Sequence, residues 1–352
     1  MTTTTVLPAG PRELRYPFPD SPETGTVSEV APGILWARIP LPFRLDHVNI
    51  YLIEDGDGWA VLDTGIANDQ TREIWRALVA GPLAGRRLTR LIVSHYHPDH
   101  IGLAGWLCDR FDLPLLTSHS AYLGCLNISL SPGALDAEPY RDHYRRHGMA
   151  DDAARLVSTQ GHNYLRMVAP LPPVFSRLVA GDTLTLGGRD FEVLAGDGHA
   201  PEQLMLYWRD GNVFLAADQV LARISPNIGV WAVEPEGDPL GLYLRSLAAL
   251  RATIPADALV LPSHQLPFVG LHQRCRELAT HHDERCAAIA EACGAKPRSV
   301  ADLLPFVFPR ALDPHQMGFA FSEVHAHVNR MKRQGTLVRD AEDEDVHRYR
   351  LA

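Results

Sequence analysis

Along the 352-residue chain, apolar and polar positions alternate in short bursts set off by turn-forming residues. Bursts with a period near two, which put alternate side chains on opposite faces of a strand, are ILWARI (34–39), VNIYLIE (48–54) and GWAVLD (58–63). In NDQTREIWRALVAG (68–81) the period changes: Ile74, Trp75, Leu78 and Val79 recur at spacings of three and four, which predicts an amphipathic helix. A strand RLIVSH (90–95), a helix IGLAGWLCDRF (101–111) and a strand LPLLTS (113–118) follow.

Residues 119–178 break the rhythm and read as helices and loops, an insertion placed to form a lid. Hairpin patterns then return over GDTLTLGGRDFEVLAG and QLMLYWRDGNVFLAAD, followed by a helix DPLGLYLRSLAALRATI and a strand DALVLPSH. This alternation predicts an α/β sandwich over residues 29–271, with helices covering sheets. A Thr- and Pro-rich extended arm, residues 1–28, precedes it. From residue 272 onward, a long helix, two shorter ones and a closing hairpin have the outline of a winged helix.

Composition narrows the function classes. The formal charge of −9, from 33 Lys and Arg against 42 Asp and Glu, argues against a phosphate-backbone binder. Residues 281–352 hold ten Lys and Arg against eleven Asp and Glu, and the expected wing, RDAEDEDVHR, is acidic where a nucleic-acid reader needs cations. The C-terminal domain is therefore expected to serve packing or homodimerisation. Five scattered cysteines without a CxxC pair predict neither a disulfide framework nor a thiolate metal cage. With no leader-like start and no long apolar run, the expected location is cytoplasmic, without a membrane partner.

Candidate chemistry concentrates in LIVSHYHPDHIGLAGWL, with the pattern H-x-H-x-D-H at His95, His97, Asp99 and His100. If the strand runs to His97, His95 and His97 converge at its end, and Pro98 starts a helix that carries Asp99 and His100. Imidazoles and carboxylates are ligands that Zn, Fe and Mn accept, and four in one turn exceed the needs of one ion with an open position. Further polar residues follow apolar runs at His199, Asp218 and His264, with Asp63 in a like position in the first half. The remaining histidines, including His119, His143, His147, His162, His281 and His282, are expected to carry no site.

The ordered set Asp63, HxHxDH, His199, Asp218, His264 resembles the metallo-β-lactamase-fold hydrolase superfamily over roughly residues 30–270. The resemblance is to its glyoxalase II-like members and to lactamase-like proteins with a C-terminal winged helix. It implies a four-layer αββα sandwich with a dinuclear site at one edge of its two sheets. By the same resemblance, His95, His97 and His199 hold one metal, Asp99, His100 and His264 the other, and Asp218 bridges. Asp63 would hydrogen-bond the ligand shell, and Asp99 and Asp63 are the residues expected to serve catalysis. GHAPEQ after the third histidine departs from the Thr-Pro-Gly usual in glyoxalase II-like chains, which opens the substrate question.

Two divalent ions, zinc foremost with Fe or Mn as alternatives, would lower the pKa of a shared water and polarise the bond under attack. The expectation is hydrolysis of an ester-like bond: thioester, carboxylic ester or lactone. Alternatives are a metal-dependent phosphodiesterase or ribonuclease and, more remotely, a non-hydrolytic redox protein on the same fold. Tyr122, Tyr144 and Tyr164, with Tyr140 and His162 nearby in sequence, are candidate substrate contacts, as are Arg223 and Asn227 in ARISPN.

Overall fold

A computed structural model of the chain describes residues 13–133, 137–159, 161–342 and 345–352. These fall into two compact units. The first runs to Ser129 and adds Tyr164–Pro226 and Ala248–Cys275; the second comprises Leu130–Asn163, Asn227–Leu247 and Arg276–Ala352.

The first unit is built on two sheets. Strands β1 (Ser28–Ala31), β2 (Ile34–Pro40), β3 (His47–Asp55), β4 (Gly58–Leu62), β5 (Arg87–Val93), β6 (Leu115–Thr117) and β7 (Ser176–Arg177) form a seven-stranded sheet in sequence order. It is antiparallel through β4 and parallel beyond, and helix α1 (Asp69–Ala80) makes the crossover from β4 to β5. The second sheet takes β8 (Thr183–Leu186), β9 (Arg189–Gly196), β10 (Gln203–Trp208), β11 (Val213–Ala217), β12 (Leu259–Pro262) and β13 (Phe268–Val269), in the order β13-β12-β11-β10-β9-β8.

Alternation along β3 shows how layering follows from sequence. Val48, Ile50 and Leu52 join the layer of Trp75, Leu78 and Leu107 from the helices, whereas Tyr51 and Ile53 face the opposite layer with Phe191, Leu206, Leu215 and Leu261 of the second sheet. A sheet covered on both faces needs apolar side chains at every position, which VNIYLI nearly supplies. Helix α1 starts where expected because the Asn68 side chain accepts from the Thr71 amide at 2.7 Å, closing the helix N-terminus.

The expected helix 101–111 is two pieces, α2 (Pro98–Ile101) and α3 (Ala104–Phe111). The glycines there admit another segment. A Cβ on Gly105 would stand 1.7 Å from the Pro170 carbonyl, so residues near 170 cross the helix at backbone contact.

In the second unit, α5 (Glu138–Arg146) and α6 (Asp151–Ser158) pack with α10 (Val300–Val307) and α11 (Pro314–Arg333). In sequence, helix α4 (His119–Leu130), in the first unit but for its last residue, precedes them; the short α7 (Gly161–Arg166), α8 (Pro239–Thr253) and α9 (Leu271–Ala295) each run across the division of the chain into units. The closing hairpin forms from β14 (Leu337–Arg339) and β15 (Tyr349–Leu351). Tyr144, Met149, Ala154 and Val157 share a core with Ile289, Leu303, Phe321, Val324 and Val328. That core draws residues 130–163 of the expected insertion 119–178 into the second unit: the apolar stripes of α5 and α6 are buried there with those of the C-terminal helices.

Residues 1–12 of the expected arm lie outside the described residues, as do positions 343 and 344 of the expected wing. The rest of the arm is anchored at Arg15, which exchanges backbone hydrogen bonds with Val269 at 2.8 and 3.0 Å. Among the described residues no helix is long and apolar enough to cross a membrane.

Candidate metal centre

Five strand ends of the first unit converge. Asp63 follows β4, residues 94–100 follow β5, His199 follows β9, Asp218 follows β11 and His264 follows β12. The chain turns sharply at these points: Asp63 (φ 65°), Ala217 (φ 46°) and Gln265 (φ 69°) hold left-handed backbone without being glycine. Such conformations cost about 1–3 kcal/mol each and persist where surrounding contacts fix them.

Strand β5 ends at Val93, earlier than the sequence suggested, because the Ser94 amide donates to Asp63 Oδ1 at 2.8 Å instead of to a neighbouring strand. His95 and His97 are thus set by an extended turn. Ser94 Oγ donates to Asp63 Oδ2 at 2.8 Å; its only proton is committed there, so at 3.0 Å it accepts from His95 Nδ1. His95 then presents Nε2. His100 Nδ1 donates to the same Asp63 oxygen at 2.9 Å, and His264 Nδ1 donates to the His47 carbonyl at 2.7 Å, so both also present Nε2.

These orientations bring ligand atoms together. One ligand atom each from His95, His97 and His199 lies within 4.8 Å of the others; so do those of Asp99, His100 and His264, and of His95, His100 and Asp218. The Asp218 carboxylate stands between sets, with Oδ2 3.3 Å from His199 Nε2 and Oδ1 3.3 Å from His264 Nε2. Asp99 Oδ2 lies 3.4 Å from His264 Nε2 and 3.5 Å from His100 Nε2. Separations of this size exceed good hydrogen bonds and suit atoms that share an ion. Among the described residues, His100 Nε2, His264 Nε2 and Asp218 Oδ1 are buried without a hydrogen-bond partner, so the donor set fits divalent metal.

Electrostatics separate the two halves of the cluster. Burial, then the neighbouring imidazoles, push His95 well below its ordinary value; burial chiefly holds His97 at about 3. Burial alone would also depress His100 and His264, but the carboxylates of Asp99 and Asp218 outweigh it, raising His100 well above its ordinary value and His264 to about 10. Conversely, facing imidazoles overcome burial and hold Asp99 and Asp218 well below the carboxylate range. The negative charge here calls for protons or cations.

The other candidates are placed as follows. Tyr122 is buried, stacked on Phe175 with ring centroids 4.1 Å apart, and its hydroxyl donates to the Pro172 carbonyl. Tyr164 donates to the Tyr96 carbonyl at 2.6 Å, directly beside His97. The Arg223 guanidinium sits 4.9 Å from the Tyr16 ring centre. Tyr144 lies in the core of the second unit against Phe321, and there Asn227 donates to Glu323 and to the Phe319 carbonyl; Tyr140 and His162 also belong to that unit.

Sequence reading missed Ser94, His47 and Asn49. Asn49 Nδ2 donates to the Pro262 and Gln265 carbonyls at 2.8 Å, and His47 Nε2 accepts from the Gln265 amide at 2.7 Å, so the start of β3 holds the His264 turn. Polarity in an otherwise apolar strand was the available signal at Asn49, and adjacence to the motif at Ser94.

The family model described as "Metallo-beta-lactamase superfamily" matches residues 43–264, and "Metallo-beta-lactamase-like, C-terminal domain" matches residues 286–352. The crystal structure of a β-lactamase domain protein from Burkholderia ambifaria is 39% identical, with a TM-score of 0.89, covering 96% of this chain and 98% of that one. A probable metallo-hydrolase of Bacillus subtilis, YqjP, is 21% identical over 303 residues, 84% of this chain and 91% of the relative. A hydroxyacylglutathione hydrolase of Acidiphilium cryptum is 30% identical over 172 residues, 44% of this chain and 64% of its own length.

Proposed function

Since the chain belongs to the metallo-β-lactamase superfamily, and is a metallo-hydrolase of that kind, we propose that it uses two divalent ions to hydrolyse an ester-like bond: a thioester, carboxylic ester or lactone. The observation that carries the dinuclear reading is Asp218, which offers one carboxylate oxygen to His199 and the other to His264. His95, His97 and His199 would hold one ion, Asp99, His100 and His264 the other, with Asp218 shared. Bound there, the ions, zinc foremost, supply Lewis acidity and lower the pKa of water toward neutrality.

The chain's own residues supply orientation and proton handling. Asp63 fixes His100 directly and His95 through Ser94, so one carboxylate sets the tautomers of two ligands. The Asp99 side chain is 18% exposed against 8% for Asp218, so Asp99 is the carboxylate that solvent reaches. It is positioned to take the proton from the attacking water and pass it to the leaving group. Likeness to a hydroxyacylglutathione hydrolase supports an acyl substrate, and the near-neutral, acid-tipped C-terminal region speaks against nucleic acid. That region is proposed to be a winged helix serving packing or homodimerisation, and the site of action to be cytoplasmic.

The test is turnover of p-nitrophenyl esters, a thioester and lactone panel, and bis-p-nitrophenyl phosphate, each with and without chelator, by the wild-type protein and Asp218→Ala. Chelator-sensitive cleavage confined to the carboxylic esters and thioesters is expected. Preference for the phosphodiester would overturn the substrate class, and chelator-insensitive turnover the metal chemistry.

A further inference from the structure

A second group of histidines lies wholly within the second unit. His143, on α5, and His147, at its C-terminal cap, are four residues apart and so share one helix face. His325 sits in the middle of α11, four residues after Phe321, on the stripe that α11 turns to its core through Phe321, Val324 and Val328. An ordinary core would carry leucine there. Instead three imidazoles meet, 6%, 4% and 0% exposed, with the His325 ring centre 4.1 Å from that of His147 and 5.1 Å from that of His143.

Their polar atoms are short of partners. Among the described residues, Nε2 of His143, Nε2 of His147 and both ring nitrogens of His325 are buried without a hydrogen bond. Polar nitrogen buried without a partner is destabilising, so three such rings in one place call for an explanation. One nitrogen from each lies within 4.8 Å of the others, and His147 Nδ1 donates to the His143 carbonyl at 2.8 Å, which fixes its tautomer with Nε2 facing the group.

We propose that His143, His147 and His325 bind a single transition-metal ion, zinc or another ion that favours imidazole, separate from the hydrolytic centre and serving to clamp α5 to α11. The donor set is all nitrogen, which selects against magnesium and calcium, whose shells are oxygen. Burial keeps the rings in the neutral form that ligation needs, His143 at about 4 and His147 at about 3. Tetrahedral zinc at about 2.0–2.1 Å from each nitrogen requires the three to close to roughly 3.4 Å, a small rotamer adjustment. Water or the ring of His347, 4.8 Å from that of His147, completes the shell.

Zinc content by elemental mass spectrometry on the full chain, saturated with zinc and then dialysed, tests the site. Three zinc per chain are expected for the wild type, two for a folded His325→Leu variant, and one for a His95→Ala/His100→Ala/His199→Ala/His264→Ala variant, which leaves neither ion of the hydrolytic centre more than two of its ligands. Equal zinc in His325→Leu and wild type, or none in the fourfold variant, overturns the site. Two zinc in the wild type falling to one in both variants would sink the dinuclear reading and leave this site standing. Should His325→Leu fail to fold, anomalous diffraction at the zinc edge from wild-type crystals decides: a peak among the three rings is expected, and none in zinc-saturated protein overturns the site.

Discussion

The two histidine clusters differ in what surrounds the imidazoles. In the first unit, rings from strand ends face Asp99, Asp218 and Asp63, and His264 is raised to about 10 although burial opposes it. In the second, rings from helices face one another and apolar neighbours, and His147 is held at about 3 chiefly by burial. Within the first cluster only His100 and His264, the rings set against Asp99 and Asp218, are raised; His95 and His97, like the rings of the second cluster, are lowered chiefly by burial. A centre with carboxylates can relay protons and keep an ion open to water. One made of imidazole alone can do little more than retain an ion.

The largest break in this contrast should come from Asp218→Ala, which removes the carboxylate proposed to be shared: hydrolysis should fall about 10³-fold or more, as expected when several kcal/mol of charge stabilisation are lost. Turnover within tenfold of wild type would rule out Asp218 as a shared ligand. Phe321→Ala should cost the second unit about 3–4 kcal/mol in denaturant unfolding, because the ring is fully buried between Tyr144 and His143. A loss below about 1 kcal/mol would mean that this core does not hold the unit.

Asp63→Asn sharpens the comparison by keeping the shape and removing the charge. Metal affinity and activity should drop about 10–100-fold, read by competition with a chromogenic chelator. Next is acidity. Burial, then His327 and Arg285 among its neighbours, hold His282 at about 2, against 6.5 unfolded. The unfolded chain therefore takes up a proton that the folded one refuses as pH falls below 6.5, and stability present above that pH is lost progressively toward pH 2. At pH 5 the loss from this residue is about 2 kcal/mol, so His282→Gln should flatten the acid limb of a melting-temperature profile. The smallest effect is expected at Arg223: with its guanidinium on Tyr16, Arg223→Ala should change kcat/KM by less than about threefold.

The convergence of the candidate residues was legible because they mark strand ends: an apolar run that stops at a histidine or aspartate signals a sheet edge, and five such stops occur in order. Supports were harder to read: Asn49 stands out only as a polar residue in an apolar strand, and what it and His47 hold is a turn more than two hundred residues away. The His143 group was hidden for the same reason. An H-x-x-x-H pair on a helix is common, and nothing local announces that His325 meets it, 182 residues later. The grouping of residues 130–163 with the second unit is not announced by the sequence, because an amphipathic helix states that it needs a partner without saying which.

The hydrogen bond from His264 to the His47 carbonyl closes a loop of 217 residues. A chain emerging from the ribosome exposes HxHxDH long before His264 exists to complete it. Contacts of such separation form slowly, so under the dinuclear proposal the nascent motif carries only part of its ligand set for much of synthesis. Metal captured at that stage is held by a fragment, and metal held by the finished centre opposes unfolding of the whole sandwich. Supplying zinc during refolding should therefore alter the yield of active protein, and the timing of its addition should matter as much as its concentration.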